Sequence, residues 1–442
     1  MLGRIGRGTG AAGAGRGQSR AAYGVKRRIG RGGGDSQERG HRPAFWARRR
    51  RPCDVARDDR RSRRVSELGL AILLVLAWAY LTGSTIAALR FARRPIARTA
   101  GRPPVSVLKP LHGADPGLYE NLRSFIEQDY PEVQIVFGVR HGADAALPVA
   151  RELIGEYPEQ DIALLVNPRA TGSNLKVANL ENMLAAAKHE ILVMADSDMR
   201  VDRDYVASTI GPLQDPGAGA VTCLYKGMPF GGLWSRLGAM HINFAFLPSA
   251  LLGEMLGTGG GCFGATIALR RSVLQRIGGF ARIRDELADD HRLGDAVREL
   301  GLATVLSRYI VENHVAEPSF ASLWRHELRW ARTVRAMAPL GFAGSIITHT
   351  IILTVLAAAV AGFSAASCWL VLVSCALRWL SAGVIARRLD LPIGGLWLLP
   401  LRDALSFAVF LSSFCGRNVL WRDQLFRVEP GGRLTVEGDK PV

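Results

Sequence analysis

Hydrophobic and polar positions divide the chain into three regimes. Residues 68–89 carry no charge and are followed by Arg90, Arg93 and Arg94. At a rise of about 1.5 Å per residue, a helix of that length crosses an apolar core of about 30 Å. Residues 101–335 alternate short apolar runs with stretches of helical spacing. Strands are expected at Val105-Ser106-Val107-Leu108, 133–139, 162–166, 191–195 and 265–269. Helices are expected at 118–128, 146–157, 175–188 and 291–300. Strands alternating with helices predict an α/β domain: a mostly parallel sheet with helices on both faces and its site at the carboxyl ends of the strands. From residue 338 the chain is apolar again, and 340–377 holds no Asp, Glu, Lys or Arg. This predicts two or three further spans within 338–416, with Arg402 and Asp403 marking an interfacial or re-entrant piece, and then a tail at 417–442.

Charge changes the picture at one end only. Residues 1–64 hold 19 Lys and Arg against 5 Asp and Glu, almost all of the net +17. Rich in Arg and Gly and poor in large apolar residues, they are read as disordered. One role for them is a tail for nucleic acid or anionic lipid. The preferred reading is an over-extended start with Val65 as first residue, because Val65-Ser66-Glu67 runs straight into the apolar segment. The arginines after residue 89 argue that the domain is cytoplasmic; the arginine-rich stretch on the other flank argues the reverse, and reading it as an over-extended start removes the conflict. Six cysteines (Cys53, Cys223, Cys262, Cys368, Cys375 and Cys415) show neither C-x-x-C nor zinc spacing, which argues against a disulfide framework.

Candidate chemistry centres on Asp196 and Asp198, at the carboxyl end of the 191–195 strand. Paired carboxylates there are hard oxygen ligands for Mg2+ or Mn2+, and a cation so held neutralises a diphosphate leaving group. Acidic turns after strands are also common. Asp144, in the loop after the second strand, is placed to accept from a nucleobase N–H or is a plain loop acid. Gly172-Ser173-Asn174-Leu175-Lys176 opens a helix, and Lys176 adds charge to an anion-favouring helix start, although Ser173 or Asn174 also serves as an ordinary cap. Gly259-Gly260-Gly261 permits backbone to line a sugar or acceptor pocket, or forms a flexible turn. Asp289 and Asp290 open the 291–300 helix, where one carboxylate can take a proton from an attacking hydroxyl and either can stabilise the helix end. His326-Glu327-Leu328-Arg329-Trp330 offers a phosphate fork and an aromatic face, or an interfacial belt. His241, His314 and His349 are read as structural.

Taken in order, Val105 to Leu111, Gly172 to Leu180, Met194-Ala195-Asp196-Ser197-Asp198-Met199-Arg200-Val201, Ala288-Asp289-Asp290 and Arg329-Trp330 resemble the family 2-like membrane glycosyltransferases. Within these the resemblance is to the ceramide glucosyltransferase-like branch, most of all the bacterial hopanoid-biosynthesis-associated glycosyltransferases. It spans about residues 65–430, including Leu420-Trp421-Arg422 and Phe426-Arg427-Val428. It implies a GT-A fold and an inverting displacement. Asp144 would contact uridine, Asp196 and Asp198 the cation and diphosphate, and Asp290 would be the base with Asp289 beside it. Arg329 and Trp330 would complete the site. His326 stands where the family's motif usually has Gln or Arg. The implied reaction is transfer of N-acetylglucosamine from a UDP-sugar to a lipid acceptor, a hopanoid polyol, at the bacterial inner membrane. The rival is a UDP-glucose ceramide glucosyltransferase. A non-catalytic membrane protein with a basic tail is the reading from another class.

Overall fold

The computed structural model describes residues 52–99, 101–259, 261–416, 418–421, 424–428 and 433–436. The first helix, Pro52–Ala92, starts on a proline, whose missing N–H costs nothing there. It therefore takes in residues 52–64, which composition assigns to the disordered extension. Extending an existing helix needs no new nucleus. The rest of that extension lies outside the described residues.

The central sheet has eight strands: β1 Val105–Pro110, β2 Val133–Val139, β3 Asp161–Val166, β4 Ile191–Ala195, β5 Met199–Arg200, β6 Ala218–Pro229, β7 Thr266–Arg270 and β8 Ala303–Val315. Their order is β3-β2-β1-β4-β7-β6-β8-β5. β3, β2, β1 and β4 run parallel, β7 is antiparallel to both its neighbours, and β6 pairs parallel with β8. β1 is buried at all six positions, as expected of a strand covered on both faces. One apolar layer packs helices Leu118–Ile126, Ala146–Glu156 and Tyr205–Ile210 on the sheet. The opposite layer packs Leu175–Leu184, Arg271–Arg276 and Asp289–Glu299. This is the GT-A-like α/β arrangement that the sequence implies. The strands not anticipated are β5, β6 and β8. β6 and β8 form the half of the sheet that the membrane-side helices sit against.

Among the described residues three helices are long and apolar enough to span a membrane: Leu68–Ala92, Ala365–Leu389 and Leu396–Ser413. A fourth segment, Pro339–Thr348 with Thr350–Val360, is bent by 71° at its break. Expectation and structure agree on one N-terminal span and two or three C-terminal ones. Hydroxyls tie them together. Trp78 Nε1 donates to Ser374 Oγ at 2.9 Å, and Thr85 and Ser381 share a 2.7 Å bond. Arg402 and Asp403, the charges interrupting the last segment, are both buried and paired inside the protein. A third apolar cluster joins Ala88 and Phe91 of the first span to Leu237 and Met240 of helix Leu233–His241, Leu323 of helix Phe320–Met337, and Ile385. The five described free cysteines, Cys223, Cys262, Cys368, Cys375 and Cys415, form no disulfide.

A short antiparallel sheet, β9 Asn418–Trp421, β10 Gln424–Val428 and β11 Leu434–Val436, closes the described chain. Val419 and Phe426 pack on Leu287, just ahead of Asp289.

Candidate active site

The turn carrying Asp196 and Asp198 is held by three neighbouring strands, and the sheet register explains each contact. β1 lies alongside β4 with Leu108 opposite Met194, which brings Lys109 beneath the turn. The lysine is fully buried, donates to the carbonyl of Asp196, and sits 3.6 Å from the centroid of the Phe125 ring. Burial pulls its ammonium down to about 7, although Asp196 and Asp198 both favour the charged form. β7 lies on the other side with Thr266 opposite Ala195, which puts Gly264 beside Asp196. β5 pairs with β8, Met199 opposite Asn313. Asn313 Nδ2 accordingly donates to Asp198 Oδ2 at 2.8 Å, and the His314 N–H donates to the Asp198 carbonyl. Burial and the adjacent Asp196 carboxylate push Asp198 up to about 6 against that hydrogen bond.

Asp290 reaches the same place from the opposite layer, in the first turn of its helix. Its Oδ2 accepts from the Gly264 N–H and its Oδ1 from the His291 N–H, both at 2.8 Å. Burial, then the neighbouring Asp289 carboxylate, push Asp290 up to about 6, while Lys176 and the two amides pull it down. A side chain at Gly264 would place its Cβ 3.3 Å from Lys176 Nζ and 3.4 Å from Oδ2 of both Asp196 and Asp290. That one point shows that Asp196 and Asp290 converge, and Asp198 lines the same cavity.

Lys176 joins them. Its Nζ lies 2.6 Å from Asp196 Oδ1 and 3.8 Å from Asp289 Oδ2. Burial opposes its charge, but these carboxylates outweigh burial and its pKa is raised. Asn174 caps the helix with its side-chain oxygen and donates from Nδ2 to the Glu286 carbonyl and to Asp289 Oδ1. Ser173 donates from both N–H and Oγ to Asp285. The Gly172 to Lys176 segment is thus a bracket that fixes the approach to Asp290 as well as a helix cap. Gly172 is required twice over: its φ is +93° and a Cβ would lie 2.7 Å from Arg284.

Arg329, Trp330 and His326 line the same cavity as Asp196, Asp198, Asp289 and Asp290. His326 Nδ1 is bonded to Glu317 Oε1 at 2.8 Å, and its ring meets Trp330 edge-on at 4.3 Å. His241 also stacks with Trp330, at 6.2 Å, and lines the cavity; burial lowers its pKa to about 4 and keeps it neutral. Glu327, next to His326 in sequence, also lines the cavity. It forms a bidentate pair with Arg402 at 2.6 and 2.7 Å, and Arg402 also donates to the Leu237 carbonyl. The helix carrying Arg329 and Trp330 is thereby bolted to the last apolar helix.

Asp144 is placed differently. Its Oδ1 accepts from the N–H groups of Gly113 and Ala146, and His112 Nδ1 stands 3.3 Å from Oδ2. It ties the loop after β1 to the start of helix Ala146–Glu156, and the cavity-lining positions in that region are His112 and Asp115. Of the glycine run, Gly260 lies outside the described residues and Gly261 packs against His291 rather than lining the cavity. Gly264 lines the cavity at its acidic end.

The cavity measures about 930 Å3. From the acidic cluster it runs past Trp330 and Phe246 to Tyr80, Ser381 and Phe410 on the apolar helices. Two carboxylates of one turn facing such a space suit Mg2+ or Mn2+, which take hard oxygen ligands and leave the remaining positions to phosphate and water. Among the described residues no third His, Cys, Asp or Glu completes a site of protein atoms alone.

Residues 69–434 match the sequence profile of glycosyl transferase family 21. Over 346 residues the chain is 23% identical to ceramide glucosyltransferase 1 of Caenorhabditis elegans, covering 75% of this chain and 73% of that one. It is 37% identical over 101 residues to a ceramide glucosyltransferase of Komagataella phaffii, covering 22% of this chain and 20% of that protein. Among solved structures it is similar to a mannosyltransferase of Pyrobaculum calidifontis in complex with GDP-Man and Mn2+ (TM-score 0.47, 21% identity, 78% of this chain and 99% of that chain).

Proposed function

The chain belongs to glycosyl transferase family 21, and from that premise we propose that it moves a hexose from a UDP-sugar onto the hydroxyl of a neutral membrane lipid, with inversion at the anomeric carbon. One observation carries this reading: a single cavity joins the acidic cluster to the interior of the apolar helices. A water-soluble donor has access at one end and a lipid at the other. The curated relatives favour UDP-glucose and ceramide over the N-acetylglucosamine and hopanoid polyol expected from sequence.

In this mechanism Asp290 accepts the proton of the attacking lipid hydroxyl at a second lone pair of one of its oxygens, each of which already accepts one backbone N–H. Its pKa of about 6 keeps it ionised at neutral pH yet basic enough to serve. Lys176 and Arg329 meet the negative charge that develops on the departing diphosphate. A divalent cation on Asp196 and Asp198 would neutralise that same diphosphate. Asn313 and Lys109 hold the turn in place, and Trp330 packs along the acceptor. Asp144, through its hold on the loop bearing His112 and Asp115, shapes the nucleoside end. The arginines following residues 89 and 386 support a cytoplasmic face for the catalytic module, and the proposed membrane is the bacterial inner membrane.

The test incubates detergent-purified full-length chain with UDP-glucose or UDP-N-acetylglucosamine and with ceramide or bacteriohopanetetrol, then weighs the products. Glucosylceramide is expected. An N-acetylglucosaminyl hopanoid would return the acceptor to the sequence-based expectation. UDP release that no lipid stimulates would overturn the lipid-acceptor reading.

A further inference from the structure

Arg378 lies in the middle of the Ala365–Leu389 span, where a charge is costly unless it is paired or used. It is paired. Nε and Nη2 donate to the two oxygens of Asp403 at 3.0 Å each, and Nη2 donates again to the Phe244 carbonyl at 3.1 Å. Those three bonds use three of the five guanidinium N–H groups. Nη1, with the other two, has no partner among the described residues. Arg378 and Asp403 are each 5% exposed, and both line the cavity that begins at Asp196 and Asp290. The Phe244 carbonyl belongs to a π-helical turn, Ile242–Phe246, a distortion that recurs at functional sites.

A buried ion pair contributes little net stability over apolar side chains of similar volume. Packing alone therefore gives no reason for this pair, whereas a donor edge left open to a cavity does. That edge calls for an acceptor oxygen. Arg378 and Asp403 already balance in charge, so an incoming phosphate would leave an uncompensated negative charge among the apolar helices. A hydroxyl or an amide carbonyl would not.

We propose that Arg378 and Asp403 form an acceptor subsite that binds a second, neutral hydrogen-bonding group of the lipid, separate from the hydroxyl that receives the sugar. This rests on the lipid-acceptor reading and narrows it to neutral lipids with an amide or several hydroxyls. Lipids with a lone hydroxyl and lipids with a phosphate are disfavoured.

The experiment compares kcat/KM for a short-chain ceramide, for bacteriohopanetetrol and for octadecanol, whose only polar group is the reacting hydroxyl. The unaltered chain is set beside Arg378→Lys, which keeps the charge opposite Asp403 but removes the Nη1 edge, and beside the Arg378→Met/Asp403→Leu pair, which removes both charges together. Donor affinity reports folding in each. The preference for the polar lipids over octadecanol should fall about tenfold or more in both variants, as loss of a hydrogen bond to a charged group implies. An unchanged preference, whether all rates drop together or none does, would reduce the pair to a structural contact and overturn the subsite. No transfer to any of the three lipids by the unaltered chain would sink the lipid-acceptor reading, and the subsite with it.

Discussion

The N–H of Gly264 donates to Oδ2 of Asp290 at 2.8 Å. The bond joins a loop ahead of β7 to a helix on one face of the sheet, and the residue making it has no side chain to fill the space between Lys176, Asp196 and Asp290. Gly264→Ala inserts a methyl 3.3 to 3.4 Å from all three. Turnover should fall by about tenfold or more, since small misplacements of reacting groups are expensive. The melting temperature should move little, because the neighbours can yield by a few tenths of an ångström. Steady-state rates beside a melting curve check both.

Asp290→Asn should abolish transfer and leave UDP binding largely intact, as measured by calorimetry. The unaltered enzyme should show a matching pH profile. Asp290 works as a base only when ionised, and its pKa is raised to about 6. The rate should therefore fall as pH drops through about 6 and level off above it. A profile flat between pH 5 and 8 would remove Asp290 from the role of base.

Chelation should stop the reaction, and Mg2+ or Mn2+ should restore it. Asp196→Asn should raise the cation concentration needed for half-maximal rate by about tenfold or more, since one of only two protein carboxylates is lost. Binding of UDP measured with and without cation separates this from a folding defect.

Breaking the Glu327–Arg402 pair on one side should be far worse than removing it whole. Both side chains are almost fully buried, and a buried charge stripped of its partner costs about 3–5 kcal/mol. Arg402→Met should therefore lower thermal stability strongly and reduce activity, because the helix bearing Arg329 and Trp330 loses its anchor. Arg402→Met/Glu327→Leu should recover most of the stability. A cycle over the two single and one double variants in detergent measures the coupling.

Sequence alone settled what is local. A strand ending in Asp196 and Asp198, a capped helix after Gly172, an acidic helix start at Asp289 and uncharged segments long enough to span a membrane all follow from periodicity, capping and length. Their residue types and spacing carry the family resemblance as well. Tertiary structure decided what depends on register between distant strands. Asn313 reaches Asp198 across 115 positions because β5 pairs with β8. Lys109 lies under the turn because β1 flanks β4, and Gly264 meets Lys176, Asp196 and Asp290 because β7 runs antiparallel beside the same strand. Asp144 and Asp115 look alike as loop acids after strands, and packing alone turns one into a loop tie and the other toward the cavity. Glu327 looks like part of a catalytic motif until Arg402, 75 residues on, is seen to hold it. Local propensity has no access to such choices, because they are made by groups that meet only once the whole sheet and its helices have closed around one cavity.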